Sequence, residues 1–258
     1  MRPLREISLF SGIGGFSLAA RHTGAIETIQ HVEIDRHAQR VLKDNFPQVP
    51  VHDDIRTYHP PLRAADLYTI GFSCTNTSAA GDRTGLAGAA SNIWFEALRC
   101  IVEGQPPFIV IENPPGLIDR GLRAVLGGLR MAGYRWEDPT LLSAAMLGAP
   151  HLRERLFIIA YLDSLRWCDR PTSWAEQIRS LAQEKWDCQA WPQFIAADDG
   201  VTLRLSPQLG APPVTVPVGS KGRLLSRILY GRSVVPAVAE IPLRRVLELA
   251  RCVDLDIV

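Results

Sequence analysis

ISLFSGIGG, at residues 7–15, joins a short apolar run to a turn that is rich in glycine. Residues 7–10 have the pattern of a buried parallel strand, and residues 15–22 that of a helix following it. Glycines let such a turn bend tightly and approach a ligand, while the helix N-terminus favours negative charge. The stretch therefore predicts the opening strand and helix of an α/β fold, although a turn of this kind also occurs without any ligand.

Strand and helix patterns alternate beyond this stretch. Further strands are predicted at residues 28–34, 49–51, 67–72, 108–111, 134–142 and 156–161, and further helices at residues 37–46, 92–103, 122–131, 224–229 and 237–250. Such alternation predicts a doubly wound, mostly parallel sheet with helices on both faces. Ligands of open α/β sheets bind at the carboxyl ends of the strands, so residues that follow these runs are candidates for a site.

The middle of the chain has a different composition. From Asp163 to about Gly222 the periodicity is poor, prolines are dense, and four of the six tryptophans occur. We expect a small irregular second domain at about residues 162–222. Residues 1–161 and about 223–258 would form the larger catalytic and cofactor-binding domain.

Composition narrows the class of protein. A hydrophobic content of 47% and a charged content of 21% are ordinary for a globular protein. Apolar runs stay short of a membrane span and the N-terminus lacks a secretion signal, so we expect a cytoplasmic protein. Five cysteines without paired spacing argue against disulfides and a zinc site. The net charge of +1 excludes a strongly basic nucleic-acid binder, but leaves room for a local basic cleft.

Reactive or polar residues follow several predicted strands. Cys74 and Glu112 come after neighbouring runs, and a thiol beside a carboxyl group suits nucleophilic addition to an electron-poor ring with proton donation. Most free cysteines are inert core residues, so it is the pairing that favours catalysis. Glu33 lies at the end of the second predicted strand, where an acid commonly binds ribose hydroxyls. Asp54 follows the third strand and suits an adenine amino group, or is an ordinary turn residue.

Seven motifs, in this order, resemble those of the cytosine-5 DNA methyltransferases. They are LFSGIGG, EID, DDI, GFSCTNTSAAGDRTGL, IENPPGL, GAPHLRERLFIIA and GRSVVPAVA. The similarity covers about residues 6–161 and 231–239. It implies the Rossmann-like fold of methyltransferases that use S-adenosylmethionine, without a metal, and transfer of a methyl group to carbon 5 of cytosine in double-stranded DNA.

The resemblance also implies roles for individual residues. Cys74 would attack carbon 6 of a cytosine flipped out of the duplex, since the reacting carbons are inaccessible within the stack. Glu112 would bind ring nitrogen 3 and the exocyclic amine, and Asn113 would help to position Cys74. Arg155 would contact the base or Glu112, and Arg153 would orient the strand ends. The implied cofactor pocket consists of Phe10, Ser11, Gly12, Gly14, Gly15, Glu33, Ile34, Asp54, Ile55, Ser233 and Val234.

The family's target-recognition domain corresponds to the unmatched middle segment. A segment as short as residues 162–222 should contact few bases, so we expect a short or relaxed recognition sequence. The resemblance further implies a monomer in a prokaryotic or phage-encoded system, within restriction–modification.

Five residues depart from the family's motifs and keep alternatives open. They are Ser73, Thr75, Pro114, His151 and Arg232. The departures are compatible with a non-catalytic paralogue that binds DNA or a partner, and with transfer of a group other than methyl. A methyltransferase acting on exocyclic amines is disfavoured because Gly116 follows the Asn-Pro-Pro tripeptide where an aromatic is expected. A tRNA cytosine methyltransferase is disfavoured because the characteristic Cys-Phe-Thr tripeptide is absent.

Overall fold

A computed structural model describes residues 2–72, 91–149, 152–183, 194–197, 200–203 and 233–255. Eight strands of the described residues form one sheet: β1 Leu4–Leu9, β2 Ile26–Val32, β3 Val51–His52, β4 Leu67–Ile70, β5 Phe108–Asn113, β6 Tyr134–Trp136, β7 Thr140–Ser143 and β8 Glu154–Leu162. A separate hairpin joins β9 Phe194–Ala197 to β10 Gly200–Leu203.

The sheet is parallel at one side and antiparallel at the other. Its order is β3-β2-β1-β4-β5-β8-β6, and β7 also pairs with β8. The pairs among β1 to β5 are parallel, whereas β8 runs antiparallel to β5, β6 and β7. The mostly parallel α/β sheet expected from the alternating pattern is therefore present, and the carboxyl ends of β1, β2, β4 and β5 lie along one edge.

Helices connect the strands. They are α1 Gly15–Thr23, α2 Arg36–Asn45, α3 Ser91–Gly104, α4 Leu117–Arg120, α5 Leu122–Met131, α6 Trp174–Gln183 and α7 Pro236–Arg251, with short 3₁₀ turns at Ile55–Thr57 and Ala144–Leu147. No helix within the described ranges is long and apolar enough to cross a membrane.

The position of β4 and β5 in the core explains why both strands are mostly apolar. Every residue of both strands is buried, because they occupy the centre of the sheet and helices cover them. A second, smaller cluster lies beneath the glycine-rich turn and joins Ile13 and Leu18 to α2 and Phe46. The turn between β1 and α1 therefore packs against this second cluster.

The single strand predicted at residues 134–142 is wrong. The chain forms β6, leaves the strand conformation at Glu137, and forms β7 from Thr140. Pro139 lies in the gap, and proline cannot donate a ladder hydrogen bond. Both pieces pair with β8, so the apolar pattern matched a strand although the backbone breaks.

Helix α6 forms where the sequence predicted irregular structure. Trp174 and Leu181 of this helix belong to the main core, and α6 packs against α7. The division at residue 162 stays a prediction. The helix predicted at residues 224–229 lies outside the described residues.

Candidate active site

The end of β5 places two buried polar side chains at the carboxyl edge of the sheet. Glu112 and Asn113 are the last residues of this strand, and both are buried. The Asn113 side-chain amide donates to the backbone carbonyl of Phe72 at 3.0 Å. The ends of β5 and of the segment that follows β4 are therefore joined by a hydrogen bond, beyond the last ladder pair of Ile70 with Ile111.

Arg155 forms an ion pair with Glu112. The antiparallel register pairs Asn113 with Leu156, so Arg155 lies just beyond the end of β5. Its Nε is 2.7 Å from Glu112 Oε1, and both side chains are mostly buried. Burial raises the pKa of the Glu112 carboxyl group, while the positive charges of Arg155 and Arg153 act in the opposite direction.

Arg153 connects the start of β8 to the segment before α7. Its guanidinium donates to the carbonyl of Ser233. Burial, followed by repulsion from Arg155, lowers the pKa of Arg153 to about 10, and Glu112 opposes this shift. Arg153 therefore interacts electrostatically with Glu112 at the end of β5 and by a hydrogen bond with Ser233 in the predicted cofactor pocket.

Gly71 lies between Glu112 and the glycine-rich turn. A Cβ atom added to Gly71 would lie 3.6 Å from Glu112 Oε2 and 3.8 Å from the Phe10 carbonyl oxygen. The ends of β1, β4 and β5 thus converge within contact distance. Cys74, three residues after Gly71, lies outside the described residues, and so does His151.

The glycine-rich turn is held by hydrogen bonds to β2. Ser11 donates from its backbone N–H to the Val32 carbonyl at 3.1 Å. Its hydroxyl accepts from the Val32 N–H at 3.2 Å and donates to the Ser8 carbonyl at 2.7 Å. Phe10 has a left-handed backbone with φ 57°. Ser11, predicted in the cofactor pocket, is buried and stabilises the turn.

Glu33 is oriented by backbone N–H groups. Its Oε2 accepts from Gly12 at 2.7 Å and its Oε1 accepts from Asp35 at 2.8 Å. Burial raises the pKa of Glu33, and the hydrogen bonds from Asp35 and Gly12 oppose the rise. Each oxygen keeps a further lone pair for a donor such as a ribose hydroxyl. Beside it, the apolar side chain of Ile34 is 63% exposed.

The predicted adenine acceptor already has a partner. Asp54 accepts from the Arg56 side chain, with Nε at 2.9 Å and Nη2 at 2.7 Å. These hydrogen bonds lower the pKa of the partly buried Asp54 carboxyl group. Ile55, also predicted in the pocket, is buried in the core. The sequence analysis did not find Arg56, and an arginine two residues from an aspartate is too common to have singled it out.

The remaining predicted pocket residues meet between α1 and the segment before α7. Gly14 caps α1 with φ 90°, and Gly15 begins it. A Cβ atom on Gly15 would lie 2.7 Å from the Val234 carbonyl and 2.9 Å from the Ser233 hydroxyl. The predicted pocket residues from both ends of the chain are therefore neighbours.

The geometry fits a nucleoside cofactor. Gly12 has φ 54° and open space where a Cβ would be, so a ligand can approach its backbone. A carboxylate, an exposed isoleucine and a second carboxylate follow β2 and β3 in the order that ribose hydroxyls, an adenine ring and its amine require. S-adenosylmethionine has all three groups.

A family comparison agrees with this arrangement. The family described as C-5 cytosine-specific DNA methylase matches residues 4–196. The chain belongs to this family. The methylase family uses the Rossmann-like fold of S-adenosylmethionine-dependent methyltransferases, which the observed sheet matches.

Curated relatives are longer than this chain. The type II methyltransferase M2.BsuMI of Bacillus subtilis is 35% identical over 170 residues, covering 62% of this chain and 42% of the relative. The type II methyltransferase M.HhaI of Haemophilus parahaemolyticus is 30% identical over 166 residues, covering 63% of this chain and 50% of the relative. The chain thus spans about half the length of the curated relatives it matches.

Solved structures share the methylase fold. A putative DNA modification methyltransferase encoded within a prophage of E. coli has a TM-score of 0.62 at 20% identity, and the match covers 96% of this chain and 99% of that one. The S. pombe Dnmt2 methyltransferase has a TM-score of 0.55 at 22% identity, covering 68% and 55%. The first match extends over nearly the whole length of both chains.

Proposed function

We propose that the protein transfers a methyl group from S-adenosylmethionine to carbon 5 of a cytosine flipped out of double-stranded DNA, through a covalent adduct on Cys74. The observation that carries this proposal is the buried ion pair of Glu112 with Arg155, located one strand away from the segment leading to Cys74 and in contact range of the turn held by Glu33.

In the proposed reaction the Cys74 thiol adds to the cytosine ring and is later eliminated from it. The Cys74 sulfur bonds to carbon 6 of cytosine, and ring nitrogen 3 receives a hydrogen bond or proton from Glu112. Carbon 5 would then gain the methyl group of the sulfonium. Removal of the carbon 5 proton, with water as the final acceptor, would break the carbon–sulfur bond and restore the ring, and ring nitrogen 3 would return its proton to Glu112. The products are 5-methylcytosine, a free Cys74 thiol, S-adenosylhomocysteine and one released proton.

Burial suits Glu112 to this role. A carboxyl group whose pKa is raised retains its proton nearer to neutral pH, which a donor to ring nitrogen 3 requires. Arg155 fixes the carboxyl group through one oxygen, Oε1, and the other oxygen would bond to the base. Asn113 joins the strand ends through the Phe72 carbonyl, and Arg153 braces the same edge against Ser233.

The cofactor supplies an electrophilic methyl group on a sulfonium. Glu33 would accept the ribose hydroxyls, the exposed face of Ile34 would cover the adenine ring, and Asp54 would accept the adenine amine. Phe10, Gly12, Gly14, Ser233 and Val234 would line the rest of the pocket. No metal ion is needed for this chemistry.

A mechanism-based trap tests the proposal. Purified protein is mixed with S-adenosylmethionine and duplex DNA from a complex genome in which cytosine is replaced by 5-fluorocytosine. Fluorine at carbon 5 blocks the last elimination, so an active protein stays bound to DNA. We expect a denaturation-resistant complex whose digest shows Cys74 joined to a methylated fluorocytosine.

Matched variants separate catalysis from binding. C74S should give no adduct, whereas C168S, which changes an exposed cysteine elsewhere, should react like the wild type. A wild-type protein that binds S-adenosylmethionine but forms no adduct would contradict the proposal and support a non-catalytic paralogue. Mass spectrometry of the adduct also identifies the transferred group, so it distinguishes methyl from a modified donor group.

We also propose that residues 162–222 recognise the target and that the recognition sequence is short. Methylation mapping of a genome exposed to the protein should give a motif with few fixed bases. A motif of about six or more fixed bases would contradict this, because it requires more base contacts than so short a segment should make.

We propose that the protein acts as a monomer on DNA in the cytoplasm of a bacterium or of a phage-infected cell. Its curated relatives come from bacteria and from Bacillus phages. Sedimentation with and without a duplex would test the stoichiometry.

A further inference from the structure

Three aromatic rings form a continuous stack behind the candidate site. The Phe10 and Phe72 ring centroids are 6.5 Å apart in an edge-on arrangement, and Phe72 and Trp94 are 5.6 Å apart with planes tilted by 38°. Phe72 and Trp94 are fully buried. The stack joins the glycine-rich turn to α3 through Phe72, and such contacts fix ring positions in a close-packed core.

Phe72 occupies a position that matters for the proposed chemistry. It precedes Cys74 by two residues in the sequence, and its carbonyl accepts the hydrogen bond from Asn113. The parallel ladder between β4 and β5 ends two residues before Phe72, at the pair Ile70–Ile111. Phe72 is therefore held by its ring contacts and by Asn113, rather than by strand pairing with β5.

Helix α5 supports Trp94 from the other side. A Cβ atom on Gly128 would lie 2.9 Å from Leu98 Cδ2 and 3.3 Å from Trp94 Cζ2. A methyl group here would require the Leu98 side chain to shift and the indole to yield by a few tenths of an ångström. The indole is thus confined between α5 and the Phe72 ring.

We propose that Trp94 is a positioning residue for the reaction, which acts by fixing Phe72 and thereby the backbone that leads to Cys74. This inference rests on the proposed function. Trp94 is fully buried, so it would act without touching the base. An error of about 1 Å in the approach of a nucleophile lowers a rate by about a hundredfold, so a small shift of Phe72 is enough to be measured.

Two pairs of variants test the inference. W94L removes the ring, whereas W94F keeps an aromatic ring against Phe72. G128A adds a methyl group against the indole, whereas G127A adds the same group one residue earlier in α5, where nothing lies within 4 Å. The glycine pair shares its helix, residue type and substitution, so it isolates the push on Trp94 and Leu98.

The measurement is the single-turnover rate of adduct formation on 5-fluorocytosine DNA at saturating S-adenosylmethionine and DNA, well below the melting temperature of each variant. We expect W94L to be slower by about tenfold or more and G128A by about threefold or more, because the thiol is misplaced. W94F should recover most of the rate, and G127A should stay within about twofold of the wild type. The affinity for S-adenosylmethionine should be unchanged in W94F, G127A and G128A.

The outcomes are distinguishable. Folded W94L and G128A proteins that react at the wild-type rate would overturn the inference and leave the proposed function intact. Equal losses in G127A and G128A would also overturn it, since they would report a general effect on α5. A wild-type protein that forms no adduct on any duplex would overturn both proposals. If W94L does not fold, W94F, G127A and G128A decide.

Discussion

Arg155 Nε lies 2.7 Å from Glu112 Oε1, across the antiparallel pair of β5 and β8. The pairing places a positive charge beside a carboxyl group that the core removes from water. Burial raises the pKa of Glu112 and Arg155 opposes the rise, so the arginine keeps an otherwise costly group compatible with the fold. The same contact directs the carboxyl group toward the edge where β4 and the glycine-rich turn meet.

R155Q should destabilise the protein by about 2–3 kcal/mol near neutral pH, because it leaves a buried carboxylate without its partner. Without Arg155 the folded-state pKa of Glu112 rises further above its unfolded value. The loss of stability relative to the wild type should therefore be small at acid pH, and it should grow as pH rises from the folded-state pKa of Glu112 in the wild type through its higher folded-state pKa in R155Q. Chemical denaturation at several pH values measures this.

Arg135 provides the control for R155Q. It pairs with Asp163 at the far side of β8, and both side chains are about half exposed. R135Q should cost about 0–1 kcal/mol, since surface ion pairs contribute little. The double variant E112Q/R155Q should recover most of the stability lost in R155Q. Additive losses in the double variant would contradict the coupling.

E33Q should weaken binding of S-adenosylmethionine by about 10- to 100-fold, since an amide cannot reproduce charge-assisted bonds to two hydroxyl groups. The loss is expected in calorimetric titration at a temperature where the variant is folded. E27Q is the control, because Glu27 is an exposed residue of β2 at the opposite edge of the sheet. Similar affinities for E33Q and E27Q would exclude Glu33 from the cofactor site.

G14A should destabilise the protein by about 3 kcal/mol or more, because an unfavourable backbone angle and a steric clash add together. Gly14 has φ 90°, and a Cβ would lie 2.6 Å from Phe46 Cε2. Phe46 cannot move aside easily, since His31 packs edge-on against its ring and the Arg21 guanidinium lies 4.4 Å from its centroid.

G24A separates the two contributions. Gly24 caps the other end of α1 with φ 65°, but nothing lies within 4 Å of its added Cβ. Its substitution should cost only the backbone conformation, about 1 kcal/mol. Equal midpoints for G14A and G24A in denaturant would show that Phe46 yields to the methyl group.

Much of the fold could be predicted because the informative residues lie where strands end. Apolar runs followed by glycine or a polar residue located β1, β4 and β5, and they placed Glu112 at the end of β5 and Glu33 just beyond β2. The break between β6 and β7 was missed because apolar residues on both sides of the Glu-Asp-Pro-Thr segment pair with the same strand, β8. Two side-chain contacts could not be predicted from the sequence. They are the hydrogen bonds of Arg56 to Asp54 and the ring contact of Trp94 with Phe72, which form only when the chain is folded.

His31 should make the protein sensitive to acid. It is fully buried in β2, and neither ring nitrogen has a hydrogen-bond partner among the described residues. Burial lowers its pKa from 6.5 to about 4. The unfolded chain therefore takes up this proton at a higher pH than the folded protein, so stability should fall as pH decreases from about 6.5 to about 4, by about 3 kcal/mol in all.

H31L should remove this part of the acid loss, because leucine has no proton to gain and no polar atom to leave unpaired. At pH 7 its unfolding free energy should equal or exceed that of the wild type by up to about 1 kcal/mol, since an unsatisfied buried group is removed. H37N, which changes an exposed histidine of α2, should keep the wild-type pH profile. If H31L and the wild type lose stability in parallel between pH 6.5 and 4, groups other than His31 cause the acid sensitivity.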